Sequence, residues 1–438
     1  MVRLLEQSLE PVRRMIRWII GDSARSGAQE AWGGAKIGSV ELTLLGTGAP
    51  AGLPRPDCPC AACALAAGPY ARAATSLLVD GSLLLDLMPG VAFAAARAGR
   101  SLGGVRQVLL SHPHDGPAVE VPAGLPQPGR VPDGRELALL TGHRVRATAL
   151  DAPGTGYAVT GPDGQRLLYL PPGTAPAGLE EPAEPYAMVL LDVVGRPDAL
   201  ARLRAVGAVG ATTDVIAVHL DHDVPPGAEE RRRLAAAGAR AVPDGTTLEV
   251  GAYEDVPDLP RRTLVLGGAR SGKSVEAERR LESLPRVLYV ATGGSRNGDT
   301  EWAARVSAHQ ERRPGSWRTV ETCDLVPLLG VDGPPLLVDC LSLWLTDAMD
   351  SVGAWDDAQW ADGGERALRE RVRELTDAVR ATRRTVVAVS NEVGSGIVPA
   401  TASGRRYRDE LGRLNAAFAQ ECEQVLLAVA GQTLVLRE

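Results

Sequence analysis

Hydrophobic positions in residues 39–255 form many short apolar runs, separated by turn residues and by fewer helical stretches. Apolar runs of this length between turn residues are typical of β-strands. The predicted strands are Glu41–Gly46, Ser76–Val79, Ser82–Asp86, Gln107–Leu110, Gln165–Leu170, Ala187–Asp192 and Val215–His219. Helical spacing occurs at Val91–Ala98, Asp198–Ala205 and Glu229–Ala237. The pattern predicts a β-rich α/β domain.

A second pattern opens at Arg261. The apolar run Thr263–Leu266 leads into a glycine-rich segment, and the helix-forming segment Val275–Leu281 follows. Strand, glycine-rich loop and helix in this order are typical of a phosphate-binding α/β domain. A chain of 438 residues can hold two domains that each bury a core. We therefore predict domains at 39–255 and 261–438, joined by the proline-bearing linker 256–260.

Residues 1–38 form an N-terminal extension that fits neither domain. Apolar residues from Leu4 to Ile20 recur at near-helical spacing, with arginines between them. Two interpretations stay open: a short amphipathic helix that docks on the body or on a membrane surface, or a partly disordered segment. The extension lacks the continuous apolar core and the small-residue cleavage site of a signal peptide.

Composition narrows the class of protein. A net charge of −7 argues against non-specific nucleic-acid binding. The six cysteines do not form the framework of a secreted domain, which indicates a reducing compartment. No apolar run reaches the length of a membrane-spanning helix. We therefore expect a cytoplasmic protein without a nucleic-acid partner or a membrane span.

The glycine-rich segment reads G-x-x-x-x-G-K-S, the pattern of a phosphate-binding loop. Its residues are Gly267, Gly268, Ala269, Arg270, Ser271, Gly272, Lys273 and Ser274. Backbone N–H groups of such a loop cradle phosphate, the lysine adds a positive charge, and the serine hydroxyl binds Mg²⁺. Lys36 and Lys273 are the only lysines in the chain, so lysine stands at the one position where this loop requires it.

Further motifs follow the loop in a characteristic order. They are Arg305–Pro314 around His309, the strand-end Asp339 with Cys340, Asn391–Glu392 and Arg405–Asn415. This ordered set resembles the bifunctional adenosylcobinamide kinase/adenosylcobinamide-phosphate guanylyltransferase family over residues 261–438. The resemblance implies a P-loop NTPase domain with a RecA-like parallel sheet. It also implies a homo-oligomer, since the family is typically trimeric.

The resemblance assigns roles to individual residues. Lys273 serves a kinase step in which ATP or GTP phosphorylates adenosylcobinamide, and His309 is the nucleophile that accepts GMP from GTP. Adenosylcobinamide phosphate then takes the GMP to give adenosylcobinamide-GDP. The implied nucleotide contacts beyond the loop are Arg305, Arg313, Asp339 and Glu392, and Ser274 and Asp339 would hold Mg²⁺. An arginine-rich surface helix is the alternative interpretation for Arg305 and Arg313.

The first domain resembles the metallo-β-lactamase fold, an αββα arrangement, and most closely its phosphodiesterase branch. The resemblance rests on Leu45–Gly48, on Cys58, Cys60 and Cys63, on Leu83–Asp86 and on Ser111–His114. The family holds two metal ions with His-x-His-x-Asp-His, a further His, a bridging Asp and a last His. This chain keeps His112, His114 and, as the last one, His219.

The other family ligands are absent from the sequence. Gly116 and Pro117 stand where the Asp-His pair belongs, and Pro171–Gly173 replaces the bridging aspartate. We therefore predict that the hydrolase site is lost and that the domain is structural or regulatory. A single ion on His112, His114 and His219, and an active metal-dependent phosphodiesterase, stay as alternatives.

A different metal site is implied by the same branch. Cys58, Cys60, Cys63 and His222 correspond to a cluster that holds a structural zinc in those proteins, and three thiolates with one imidazole suit a closed tetrahedral site. The alternative is a loop of free thiols. We expect His143 to be a surface turn residue.

A third hypothesis for the whole chain is a nucleotide-binding regulator without turnover.

Overall fold

The first half of the chain contains two β-sheets, and most of their strands are the short apolar runs identified in the sequence. The structure is a computed structural model that describes residues 39–112, 121–252, 260–294, 307, 311 and 313–438. The strands of this half are β1 (Glu41–Gly46), β2 (Ser76–Val79), β3 (Leu83–Leu85), β4 (Gln107–Leu109), β5 (Glu136–Ala138), β6 (Arg144–Thr148), β7 (Gly156–Thr160), β8 (Arg166–Tyr169), β9 (Met188–Leu191), β10 (Asp214–Ala217) and β11 (Thr247–Glu249). Its helices are α1 (Ala61–Leu65), α2 (Val91–Arg97), α3 (Pro197–Ala205) and α4 (Ala228–Ala236).

The two sheets pack face to face between outer helices. Their strand orders are β11-β1-β2-β3-β4 and β10-β9-β8-β7-β6-β5. Side chains alternate along each strand, so Leu83 and Leu85 face the second sheet while Leu84 packs with α2. On the second sheet, Tyr169 faces inward and Leu168 packs with α3 and α4. These layers confirm the αββα arrangement.

Four strands of this half are missing from the sequence prediction: β5, β6, β7 and β11. β6 illustrates the reason. Its alternate residues Arg144 and Arg146 are exposed, and only Val145 and Ala147 are buried. Two apolar residues in five give too little contrast for a strand to be recognised.

The second half is built on one seven-stranded sheet. Its strands are β12 (Arg262–Gly267), β13 (Leu288–Ala291), β14 (Arg318–Glu321), β15 (Leu336–Asp339), β16 (Val386–Asn391), β17 (Gln424–Val429) and β18 (Gln432–Arg437). Its helices are α5 (Lys273–Arg279), α6 (Val326–Leu329), α7 (Leu341–Ser351), α8 (Asp357–Gln359), α9 (Glu365–Ala381) and α10 (Ala402–Gln420). The strand order is β14-β13-β15-β16-β12-β17-β18, with only β18 antiparallel.

Apolar side chains cover both faces of this sheet. Leu264 of β12 packs towards α7, α9 and α10, while the next residue, Val265, packs towards α5. Leu411 and Phe418 on α10 are fully buried and belong to the first of these cores. Each buried side chain of this size contributes roughly 1.5–3 kcal/mol through removal of apolar surface from water. Burial on both faces is expected for a parallel sheet, and it confirms the predicted parallel-sheet domain.

The carboxyl ends of the parallel strands lie at one edge of the sheet. β12 stands between β16 and β17, and β16 separates β12 from β15. Gly267 is in register with Asn391, and Asp339 with Val389. Neighbouring strands are 4.7–4.9 Å apart, so the end of β15 lies about 10 Å from the phosphate-binding loop. An intervening strand of this kind is the RecA-like arrangement predicted from sequence.

Residues 39–438 belong to one compact unit. Among the described residues, no helix is both long and apolar enough to cross a membrane. The N-terminal extension 1–38 lies outside the described residues, as does most of the linker 256–260, so the predicted domain boundaries stay predictions.

Candidate functional site

The predicted phosphate-binding loop connects β12 to α5 at the carboxyl edge of the sheet. Gly272 adopts a φ of 97°, which favours glycine, and Arg270 also lies in the left-handed region at 57°. A Cβ at Gly267 would come within 2.4 Å of Ser271 Oγ and 2.7 Å of the Ala428 carbonyl oxygen. These two glycines therefore allow the tight path that wraps the loop around the start of α5.

Polar groups of the loop are arranged for an anion. Lys273 Nζ donates a 3.0 Å hydrogen bond to the carbonyl oxygen of Gly268, so the ammonium group lies beside the loop backbone. Ser271 Oγ is buried and has no hydrogen-bond partner within the described part of the chain. Ser274 follows in the first turn of α5 and is half-buried. A lysine ammonium group beside the backbone of a glycine-rich turn at a helix start fits the oxygens of a phosphate.

Asp339, the predicted magnesium ligand, ends β15 and is tied to the neighbouring strand. Tyr289 of β13 donates a hydrogen bond of 2.8 Å to Asp339 Oδ2. Burial, together with the charge of Asp339, raises the pKa of Tyr289 well above its usual value, so the phenol remains a donor. Asp339 thus lies at the edge of the sheet where the phosphate-binding loop also lies.

Arg313 packs against this same tyrosine. Its guanidinium carbon lies 3.2 Å from the centre of the Tyr289 ring, and Nη1 donates to Thr319 Oγ1 at 3.4 Å. Its Nε lies 4.0 Å from Glu278 Oε1 on α5. The side chain is only 8% exposed, so the surface-helix interpretation does not apply to Arg313. His309 and Arg305 lie outside the described residues.

Glu392 lies directly beside the loop. Its backbone N–H donates to the Gly267 carbonyl at 3.1 Å, and its carboxylate accepts from the Gly394 N–H at 2.7 Å. The preceding Asn391 donates to Ser342 Oγ at 3.0 Å, and its carbonyl accepts from Asn415 Nδ2 at 3.0 Å. The structure thus brings Glu392, Lys273 and Asp339 to one edge of one sheet.

Three polar residues of this edge are absent from the predicted site: Tyr289, Ser342 and Asn415. Tyr289 is the only polar side chain in the strand Leu288–Ala291. A single polar residue in a buried strand indicates that its hydroxyl makes a specific hydrogen bond. Asn415 is 5% exposed on α10. A buried asparagine requires hydrogen-bond partners, but the sequence alone does not say which ones.

The predicted zinc ligands come together in the first half. The Sγ atoms of Cys58, Cys60 and Cys63 lie 3.2, 3.6 and 3.5 Å from His222 Nδ1. In a tetrahedral site with Zn–S near 2.3 Å and Zn–N near 2.05 Å, sulfur and nitrogen are about 3.6 Å apart. The donor types and spacings therefore fit one zinc ion. Among the described residues this is the only group of three or more potential ligands whose donor atoms converge.

Local structure supports the cluster. Cys60 precedes α1 and its Sγ accepts from the Cys63 N–H at 3.4 Å, which lowers the pKa of Cys60 to about 7. Burial raises the pKa of Cys63. Arg55 pairs with Asp221 next to His222, so the cysteine loop and the ligand histidine are connected by an ion pair as well.

Two histidines of the predicted remnant metal site, His112 and His219, contact other side chains or the backbone. His112 Nδ1 lies 3.0 Å from Ser111 Oγ and 3.6 Å from Asp86 Oδ2. Asp86 is fully buried and also accepts from the Tyr169 hydroxyl at 2.6 Å. Burial opposes its ionisation, but the contacts with His112 and Ser111 prevail and lower the pKa of Asp86. His114 lies outside the described residues.

His219, the last of the three, is 4% exposed. Its Nε2 is 3.1 Å from the carbonyl oxygen of Leu170, which can only accept, so this nitrogen carries the hydrogen. Burial lowers the pKa of His219 to about 4. His219 is therefore neutral near pH 7 and donates to the backbone in the interior of the fold.

The prediction for His143 is wrong. The residue is 2% exposed, with Nε2 2.7 Å from Asp80 Oδ2 and Nδ1 2.9 Å from Thr141 Oγ1. The turn position suggested exposure, but hydrogen bonds with Asp80 and Thr141 offset the loss of hydration.

Most of the second half of the chain matches a known protein family. The family model described as cobinamide kinase / cobinamide phosphate guanyltransferase matches residues 263–436. This range contains all of β12 except Arg262, the phosphate-binding loop, Asp339 and Glu392.

Solved structures align with about half of the chain. A diphosphatase from the PhnP family is 18% identical, covers 48% of this chain and 97% of its own, and has a TM-score of 0.35. Zn²⁺-bound PqqB from Methylobacterium extorquens is 18% identical, covers 48% of this chain and 99% of its own, and has a TM-score of 0.35.

Two curated relatives match the second half. The bifunctional adenosylcobalamin biosynthesis protein CobP of Pseudomonas aeruginosa is 44% identical over 181 residues, which are 40% of this chain and 97% of that protein. The corresponding protein CobU of Salmonella typhimurium is 38% identical over 179 residues, 38% of this chain and 95% of that protein. The resemblance predicted from the motifs is confirmed: the chain belongs to the cobinamide kinase / cobinamide phosphate guanyltransferase family.

Proposed function

We propose that residues 261–438 act in cobalamin biosynthesis as a kinase and a guanylyltransferase. The domain phosphorylates adenosylcobinamide with ATP or GTP and then transfers GMP from GTP, giving adenosylcobinamide-GDP. One observation carries the proposal. The loop that contains Lys273 has the geometry of a phosphate-binding loop, and it lies within residues 263–436, which match the cobinamide kinase / cobinamide phosphate guanyltransferase family. The names of the relatives CobP and CobU support the same pathway.

The kinase step needs positioning more than covalent chemistry. The hydroxyl oxygen of adenosylcobinamide attacks the γ-phosphorus, the bond to the β–γ bridging oxygen breaks, and the nucleoside diphosphate leaves. The hydroxyl proton is released. Lys273 and the loop N–H groups stabilise the charge on the phosphate oxygens. Mg²⁺, which Ser274 and Asp339 would hold, supplies further neutralisation of that charge.

In the guanylyl step, an imidazole nitrogen of His309 attacks the α-phosphorus of GTP. The bond from that phosphorus to the α–β bridging oxygen breaks and pyrophosphate leaves. A phosphate oxygen of adenosylcobinamide phosphate then attacks the same phosphorus, and the P–N bond breaks to restore His309. Neutral imidazole is a good nucleophile near pH 7, and its phosphoramidate is labile.

The remaining polar residues are assigned to the nucleotide. Arg305 and Arg313 would stabilise triphosphate charge near His309. For Arg313 the support is its position on Tyr289, one hydrogen bond away from Asp339. Glu392 is assigned to the nucleotide or its metal because its N–H contacts Gly267.

Turnover of adenosylcobinamide with GTP tests the proposal. Wild type should form adenosylcobinamide phosphate and then the GDP adduct, whereas His309→Ala should stop at adenosylcobinamide phosphate. A variant that forms both products at the wild-type rate would refute the role of His309. Nucleotide binding without either product in wild type would favour a regulator instead.

For the first half we propose a structural zinc on Cys58, Cys60, Cys63 and His222. The support is the convergence of the four donor atoms within 4.8 Å. Such an ion would connect the cysteine loop to the segment after β10, and its binding energy would add to the stability of the fold.

We also propose that this half, residues 39–255, is a structural or regulatory module. The support is the use of His219 as a donor to Leu170 and of His112 as a neighbour of Asp86. Metal analysis tests the assignment. One zinc per chain and no diesterase activity are expected, whereas two or more metal ions with diesterase turnover would identify an active phosphodiesterase.

We expect the protein to form a homo-oligomer, specifically a trimer. Its support is the terminal strand β18, where Leu434, Val435 and Leu436 are 56%, 41% and 57% exposed. Adjacent apolar residues on an edge strand favour coverage by another chain. Light scattering on the purified protein tests the oligomeric state.

We assign the protein to the reducing cytoplasm, where thiolate ligands persist.

A further inference from the structure

The two halves of the chain contact each other at the helix that follows the phosphate-binding loop. Arg232 on α4 pairs with Glu276 on α5. Arg204 on α3 donates to Ser283, a few residues beyond the end of α5. The first half therefore contacts the middle of the nucleotide-binding helix, at Glu276, and the turn that follows the helix, at Ser283.

The contact at the first turn of α5 is a buried ion-pair network. The side chains of Arg232 and Glu276 are 8% and 6% exposed. Glu276 also accepts from Arg280 Nη1 at 3.3 Å, and Arg280 donates to Gln424 at the start of β17. Glu229 pairs with Arg232 on α4 itself. The network thus connects α4, α5 and β17.

The contact beyond the last turn of α5 is made by a buried guanidinium. Arg204 Nη1 lies 3.0 Å from both the carbonyl oxygen and the hydroxyl of Ser283, and Nη2 lies 2.8 Å from the Ala237 carbonyl. Burial lowers the pKa of Arg204 to about 10. A Cβ at Gly238 would come within 2.8 Å of Nη2, so glycine leaves room for this side chain. Bonds to Ser283 offset the cost of desolvation only when the halves are docked.

We propose that the first half braces the nucleotide-binding helix, with Arg232 and Arg204 as positioning residues for nucleotide binding. This inference rests on the proposed function, because it assumes a nucleotide in the loop. Lys273 and Ser274 lie in the first turn of α5, so any rotation of this helix moves both groups against β12. One contact on the helix and a second on the turn that follows it restrict rotation of the helix more than either contact alone.

The expected effect is large because phosphate recognition depends on position. A misplacement of about 1 Å can cost on the order of a hundredfold in activity. Loss of Arg232 leaves the contact between Arg204 and Ser283 in place, so the first half still holds the turn after α5, and we expect roughly tenfold weaker nucleotide binding.

Equilibrium binding of the fluorescent analogue mant-GTP with Mg²⁺ tests the brace in the full-length chain. We expect Arg232→Gln to weaken binding on the order of tenfold, Arg232→Lys to recover most of the affinity, and Arg204→Met to weaken it as well. Arg166→Gln is the control, because it removes an ion pair with Glu184 on the surface of the first half, away from α5. The Arg166→Gln variant should bind mant-GTP with the same affinity as wild type.

Two results would overturn the proposal. One is wild-type affinity in both Arg232→Gln and Arg204→Met. The other is an equal loss in Arg166→Gln, which would reveal general destabilisation. If Arg232→Gln does not fold, Arg232→Lys and Arg204→Met still decide the question. Binding of mant-GTP does not require corrinoid turnover, so an inactive wild type would refute the proposed function while leaving this test intact.

Discussion

The hydroxyl of Tyr289 donates a 2.8 Å hydrogen bond to Asp339 Oδ2, across neighbouring strands β13 and β15. The bond directs one carboxylate oxygen towards β13 and orients the group proposed to hold magnesium. The Arg313 guanidinium lies over the same ring. One tyrosine thus connects Arg313 to Asp339, the proposed magnesium ligand.

Replacement of Tyr289 by Phe should weaken magnesium use while preserving the fold. The ring and its contact with Arg313 are retained, and only the hydrogen bond is lost. A bond to a charged acceptor is worth about 1.5–3 kcal/mol, so we expect kcat to fall by roughly 10- to 100-fold. Magnesium titration of phosphoryl transfer is the measurement. An unchanged magnesium requirement together with unchanged kcat would show that Asp339 does not need this orientation.

Replacement of Lys273 by Ala should abolish the kinase step. Loss of one preorganised charged donor at a phosphoryl group costs on the order of 100- to 1,000-fold. The chain supplies its own matched control, since Lys36→Ala removes the only other lysine. Initial rates of adenosylcobinamide phosphorylation measure both variants. Equal rates in the two variants would exclude Lys273 from catalysis.

Substitution of a cysteine ligand should release the zinc and destabilise the first half. We expect one zinc per chain in wild type and less than half of that in Cys58→Ser, with a lower melting temperature. Cys323→Ser is the control, because Cys323 is a half-buried thiol in the second half. Elemental analysis and thermal denaturation check the expectation. Equal metal content in both variants would contradict the site.

Acidification should destabilise the protein through His219. Burial lowers the pKa of His219 to about 4, below its value in the unfolded chain. The unfolded chain therefore takes up a proton first, and stability that is complete above about pH 6.5 decreases as the pH falls towards 4. The full effect is at most roughly 3 kcal/mol.

Thermal denaturation between pH 7.5 and 4.5 measures this dependence. The variant His219→Gln keeps a side-chain amide that can donate to the Leu170 carbonyl but cannot titrate in this range. Its melting temperature should decrease less with acidification than that of wild type. Parallel curves for the two proteins would assign the acid sensitivity to other groups.

Local patterns predicted much of the second half. The conformation of the loop 267–274 is determined by its own residues. Gly267 is required because Ser271 and Ala428 approach it closely, and Gly272 is required because its φ is positive. The cysteines 58, 60 and 63 were visible as a cluster. His222, by contrast, lies 159 positions after Cys63, so its selection depended on the resemblance to a known branch.

Contacts between distant elements were beyond prediction. Asp86 and Tyr169 are 83 positions apart, and Arg232 and Glu276 are 44 positions apart, in different halves of the chain. Hydrophobic periodicity reports which face of a strand or helix is buried, but not which element covers it. For that reason the interior turn residue His143 was expected at the surface, and the brace on α5 emerged only from the structure.

Labelling with α-³²P-GTP tests the central claim most directly. Wild type should acquire an acid-labile label that is chased by adenosylcobinamide phosphate, and His309→Ala should acquire none while still binding the nucleotide. Stable or equal labelling in the variant would contradict transfer of GMP through His309.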